Sequence, residues 1–261
     1  MKRYLRTLRL FWSTSIGVEM EYRTNFLMAT LASLGMLSGS LFGLSLFYQH
    51  GYTMGAWKWS EVLIVMGLYT TIDGLQATFL APNRQRITEY VREGTLDFVL
   101  LKPMDSQFIV SIRDLSVWGI PNIILGLSLV LYSGNIELKL GWSNHLNALM
   151  PMALGVFILY SIGFMLGTLT IWFVKLWNVT IAMQSLLEAG RFPINAYSPG
   201  FRIFFTYVVP VVFLTTVPAE AMLGRMTTGW LLTSVILATG LFVAARIFWL
   251  IALRSYTSAS S

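Results

Sequence analysis

Charge and large apolar side chains alternate most densely between Arg84 and Pro103. Arg84, Arg86, Glu89, Arg92 and Glu93 are interleaved with Ile87, Tyr90 and Val91. Gly94, Thr95, Leu96, Asp97 and Phe98 then lead into Val99-Leu100-Leu101 and a stop at Lys102-Pro103. This spacing predicts a short helix with a solvated face, starting at Pro82, a residue suited to a first helical turn. Gly94 is placed to end that helix in the left-handed conformation. The apolar residues beyond it either fold back on a membrane surface or form a ridge that fits a cleft on a soluble partner. The second notable group is Asp73, an acid deep in the apolar run Tyr69-Thr70-Thr71-Ile72-Asp73-Gly74. A charge at the bilayer centre costs about 2.5–3.5 kcal/mol, so it needs a partner or a role. Asp73 serves either a proton or substrate path, or a structural hydrogen bond to a neighbouring helix. A relay needs a chain of ionisable groups, and the sequence offers only Glu220, beside Pro218, as a companion. The structural role is therefore the expectation.

Familiar catalytic chemistry has no support. There is no cysteine, so disulfides, thiolate metal sites and thiol nucleophiles are excluded. His50 and His145 fall in separate short loops between apolar runs, which argues against a histidine metal cluster. No G-x-x-x-x-G-K-[ST] loop occurs, nor any Gly-Lys pair, so ATP has no usual binding site in this chain. Neither G-x-S-x-G nor H-E-x-x-H appears. The expectation is a protein that is not an enzyme and carries no cofactor or metal.

The elements that hold these residues must be membrane helices. Hydrophobic residues make up 56% of the 261 and charged residues 11%, against about 25% charged in a soluble domain. Nine Trp and eleven Tyr suit aromatic belts at two membrane interfaces. Six apolar segments meet or approach the length needed to cross a bilayer: 26–48, 61–81, 115–133, 146–174, 201–221 and 229–252. The first follows a basic stretch as a signal peptide would, but its 23 uncharged residues exceed a signal's apolar core, so it is read as a retained span. Pro210 and Pro218 kink the 201–221 segment or break it into a re-entrant piece. Residues 1–23 read as a basic amphipathic helix lying on the membrane, with Tyr4, Leu5, Leu8, Phe11 and Trp12 on one face. The serine-rich 255–261 reads as a disordered tip.

Lys and Arg collect on the cytoplasmic side of membrane proteins. With the N-terminus inside, only Lys58, Lys139 and Arg225 of the 18 fall outside. Lys175, Arg191 and Arg202 are counted inside with the basic residues of 1–23, 82–114 and the C-terminal end. Both termini are then cytoplasmic, the 82–114 loop is cytoplasmic, and the net charge of +6 needs no nucleic-acid partner. The fold expected is an all-α, multi-pass, single-domain protein of the cell (inner) membrane.

Glu93-Gly94-Thr95-Leu96-Asp97, followed by Leu100-Leu101-Lys102-Pro103, resembles the loop between spans two and three of type-2 ATP-binding-cassette (ABC) permeases, closest to a six-span bacterial branch of uncharacterised substrate. The resemblance continues through Arg191-Phe192-Pro193, Tyr197, Tyr207-Val208-Val209-Pro210 and Val217-Pro218-Ala219. It implies one half of a permease dimer, homo- or heteromeric, with a separate ABC-type ATPase below it and alternating access as the mechanism. It also implies that Arg84, Arg86, Glu89, Arg92, Glu93, Gly94, Thr95, Leu96, Asp97 and Phe98 belong to a coupling helix and its continuation, inserted in a groove of the ATPase. The Arg191–Tyr197 segment would lie beside the inner end of the fifth span, and export would be the direction. The alternative is an ion-coupled secondary transporter or channel that uses Asp73.

Overall fold

The computed structural model describes residues 2–19, 21, 23–173 and 179–256, and these contain helices and no β-strand. Lys175, the chain beyond Tyr256 and the side chains of residues 2–6 lie outside the described residues. Helix α1 (Lys2–Glu19) precedes α2 (Arg23–Gln49). Most of α2 forms the first of five helical stretches long and apolar enough to cross a membrane. The others are Trp59–Arg92, Val117–Glu137, Trp142–Ile171 and Thr228–Ser255. A sixth is reached if Pro199–Val208 and Val211–Met222, bent by 76°, count as one.

The central stretch is one helical run, 78% buried over its apolar window, whereas that of α2 is 6% buried. Helix α3 (Trp59–Leu75) passes through a π-helical turn (Gln76–Leu80) straight into α4 (Ala81–Arg92). The break expected at Pro82 is thus absent, and the local geometry shows why. Proline cannot donate to the carbonyl four residues back, and its ring crowds it. Here that carbonyl, on Thr78, accepts instead from Ser116 N at 2.9 Å, while the wider π turn makes room for the ring. The same Pro82 that ought to start a helix ties the helix to the chain returning 34 residues later.

That return runs through α5 (Asp97–Leu100) and α6 (Ser106–Ile112) into α7 (Ile120–Leu131), which ends in a π-helical turn to Glu137. Helices α3 and α7 meet through glycine. A Cβ on Gly74 would sit 2.6 Å from Ile123 N, and one on Gly126 would sit 2.4 Å from Thr71 N. Between membrane helices, where burial gives no hydrophobic gain, such close approach is the main source of attraction.

Helix α8 (Trp142–Thr168) is followed by α9 (Val179–Glu188), α10 (Pro199–Ile203), α11 (Thr216–Met222) and α12 (Thr228–Ser255). Two ends of the bundle can be told apart. At one, Trp12 Nε1 of α1 donates to Ile112 O (3.0 Å), Arg246 of α12 pairs with Asp105 (2.6 Å), and Trp249 Nε1 donates to Ser106 Oγ (3.0 Å). At the other, Arg225 pairs with Glu61 and Asn144 Nδ2 donates to Met222 O (2.9 Å). We call these the loop end and the far end.

Residues 194–222 correct the expected fifth span. A Cβ on Gly55, in the far-end turn, would sit 3.2 Å from Cβ of Asn195, and Met222 is at the far end as well. In between, Val209 and Pro210 reach the level of Leu159 and Ile162, deep in α8. The 199–222 segment therefore dips in and comes back out at the same end. The crossing from the loop end to the far end is made by α9 and the irregular residues after it. Arg191–Tyr197 consequently leads to the far end, not beside the inner end of a span.

Candidate functional site

Residues 84–103 divide sharply into buried and exposed. Arg84 is only 5% exposed and lies along α8, where Cβ atoms on Gly163 and Gly167 would sit 3.4 and 3.2 Å from its side chain. Its Nε and Nη2 find no hydrogen-bond partner among the described residues. Arg86 bonds Glu89 (2.9 Å) and Asp114 (3.1 Å), and Arg92 lies 3.7 Å from Glu93 on the open surface. Gly94, at φ +66°, ends α4 as its pattern predicts: Thr95 N bonds Tyr90 O (2.9 Å) and Gly94 N bonds Val91 O (3.3 Å), a Schellman arrangement. The reversal drops Leu96 into a cluster with Ile87, Tyr90, Val99, Phe164 and Trp249, where it is 0% exposed. Phe98 and Leu101, by contrast, are 69% and 79% exposed. The apolar ridge is therefore Phe98, Leu100 and Leu101, standing on a platform of Leu96 and Val99; Asp97 lies beside it.

Four helices fix that platform. Asn83 of α4 holds the returning backbone from both sides, donating to Asp114 O (2.7 Å) and accepting from Asp114 N (2.9 Å). Asp105 caps α6 by accepting from Phe108 N (2.9 Å), and its pairing with Arg246 draws in α12. On the α1 side, Lys102 and Arg113 both lie 5.7 Å from the Phe11 ring centroid. Burial, with Arg113 adding to it, lowers the Lys102 ammonium below its usual pKa. Sequence reasoning missed Asn83, Asp105 and Arg246, because a lone polar residue near a helix end gives no signal until its partner is known.

A second polar group lies between the spans. Asp73 accepts from Asn122 Nδ2 at 2.8 Å, across the Gly74–Ile123 contact that brings the two helices together. Helix α9 and the bend after it add what the sequence did not reveal. The Arg191 guanidinium stands 5.2 Å over the Tyr69 ring, and both Arg191 and Glu188 are within electrostatic reach of Asp73. These groups line a cavity of about 90 Å³ whose remaining wall, on α2, includes Ser33 and Ser40. At 1.5 Å per residue, Asp73 is about 21 Å along the helix from Trp59, and Ser40 and Ser33 are about 14 and 24 Å from Gln49. Two independent helices thus put the cavity inside the hydrocarbon thickness of a bilayer, about 30 Å. Glu188 and Gln184 are nonetheless exposed. Glu220, the one other acid weighed beside Asp73, is on α11 near the far end and does not line this cavity. No group of three or more potential metal ligands occurs among the described residues.

No curated protein matches this chain. A family model described as "ABC-2 family transporter protein" matches residues 34–260, from within α2 to beyond the end of α12. This chain is thus a multi-pass membrane protein that belongs to the ABC-2 transporter family, as a type-2 ABC permease.

Proposed function

We propose that this permease is half of the membrane channel of an ATP-driven exporter, worked by a separate ATPase that docks on the ridge at Phe98, Leu100 and Leu101. The single observation that carries the docking is the contrast within one short stretch. Phe98 and Leu101 are open to solvent while Leu96 and Val99, between and beside them, are sealed. An apolar ridge on a rigid base, rimmed by Arg92 and Glu93, has the character of an interface anchor. Because α1, α4, α6 and α12 all clamp the base, a push on the ridge is carried into the spans. The coupling residues are accordingly Arg92, Glu93, Phe98, Leu100 and Leu101; Arg84 and Leu96 act from beneath, as support.

The loop end is the cytoplasmic end, and both termini belong to it. Its Lys and Arg excess supports this, as does the packing of α1 and the end of α12 on the same loop. A second copy or a paralogue covers α2 and the open side of α9. Glu188 supports that arrangement, since a carboxylate at this depth cannot face lipid and must face water or protein.

Phe98→Asp and Leu101→Asp test the docking. Each should leave a monodisperse membrane protein while abolishing co-isolation of the ATPase encoded with it. Undiminished co-isolation with both variants would refute the ridge as the contact. The cluster of Asp73, Glu188 and Arg191 gives the rival, an ion-coupled carrier, more ionisable groups than Asp73 alone. Transport by the chain alone in liposomes under a proton gradient, lost in Asp73→Asn, would establish that rival instead.

A further inference from the structure

On the permease reading, the cavity beside Asp73 is where a transported molecule meets charge at bilayer depth, and its composition is selective. Asp73 already has Asn122 as donor and Arg191 nearby. Arg191 is shared between Asp73 and the face of Tyr69. Glu188 is left over: among the described residues its carboxylate has no ion-pair partner, and it is exposed toward the open side. Asp73 is held by Asn122 and Arg191 stands over Tyr69, so Glu188 is the charge this cavity leaves open to a ligand. An anionic ligand would be repelled, and a neutral one would leave Glu188 unpaired in a medium where isolated charge is costly.

The other walls describe the rest of the ligand. Met36, Leu37 and Met66 line the same cavity, and methionine adapts to irregular apolar shapes. The volume, about 90 Å³, suits a compact head group. Anything larger must extend along α2 into the seam with the second copy, where Met28, Leu31 and Met36 are exposed on this chain.

We infer that this cavity receives the cationic head, an ammonium or comparable centre, of an amphiphilic ligand whose apolar body lies along α2, with Glu188 as the counter-ion. A cation in this low-dielectric site gains far more from a carboxylate than it does in water. Asp73 and Asn122 fix the depth at which the head stops.

Three photoactivatable probes with one alkyl chain test this on the protein in lipid nanodiscs: a trimethylammonium, a sulfonate and a neutral alcohol. Crosslinked peptides are read by mass spectrometry. The ammonium probe should label α2 and α9 peptides around Met36 and Gln184 and be competed by excess unlabelled ammonium. Labelling should fall at least tenfold in Glu188→Gln and persist in Glu188→Asp. Equal or stronger labelling by the sulfonate, or unchanged labelling in Glu188→Gln, would overturn the assignment. The docking reading fails separately. If the ATPase co-isolates and Phe98→Asp abolishes that while the ammonium probe labels nothing, the ligand class falls and the coupling stands. If the probe labels as expected and no ATPase binds, the cavity assignment survives and the coupling falls.

Discussion

Arg84 shows how far a residue's type can mislead about its place. In the sequence it is one of five charges whose spacing predicts a solvated face. In the fold it is buried against two glycines of α8, with two guanidinium nitrogens unpartnered among the described residues. The sequence could not reveal this, because burial of Arg84 depends on Gly163 and Gly167, about 80 positions away. Leu96 is hidden for a related reason: Gly94 reverses the chain, and the register after it decides whether Leu96 or Phe98 faces out. Gly94 itself was legible, since a left-handed helix end is a local property. A buried charge without a counter-ion is costly, and apolar replacement of such groups is often neutral or stabilising. Arg84→Met should therefore hold or raise the melting temperature of the purified permease. A fall of several degrees would mean that the guanidinium holds a partner that is not among the described residues.

At the scale of elements, length and apolarity pointed to several membrane helices, but not to how they are joined. Pro82 was read as a start because the usual rule for proline is local. Its actual effect is a π turn and a carbonyl handed to Ser116, which depends on the chain returning at the right place. The α3–α7 contact is a stronger constraint still. Gly67 and Gly74 on one helix face Gly126 and Gly119 on the other at spacings of seven, so the backbones approach along two turns. The same contact puts Asn122 against Asp73, so the polar cavity depends on glycines that carry no chemistry. Gly126→Val should break this approach, since its first carbon alone would overlap the Thr71 backbone. The expected result is a sharp loss of folded protein, measured by fluorescence-detected size exclusion. Gly240→Ala on α12 meets nothing within 4 Å and exchanges glycine for a better helix former, so it should be tolerated. Equal tolerance of both would show that α3 and α7 do not pack as described.

For the whole molecule, the charge bias was legible, whereas for residues 179–226 the prolines signalled a kink or a re-entrant piece but not the end to which it opens. Hydropathy treats a re-entrant hairpin as a span, because both are apolar and of similar length. Only Asn195 beside Gly55 at one end, and Met222 beside Asn144 at the same end, separate them. Arg191 and Arg202 accordingly leave the cytoplasmic tally: Arg191 lies beside Asp73, and Arg202 Nη2 donates to Asn195 O (3.4 Å) near the far end. The remaining excess still favours the loop end as the cytoplasmic side in the proposed orientation. Since the chain has no cysteine, single cysteines can test that path cleanly. Tyr52→Cys and Ser198→Cys, both exposed toward the far end, should react with a membrane-impermeant maleimide added to intact cells. Arg92→Cys should react only after the membrane is opened. If Ser198→Cys instead behaves like Arg92→Cys, residues 201–221 cross the membrane as a full span. The far-end hairpin would then be wrong, and with it the route by which α9 brings Glu188 and Arg191 to Asp73.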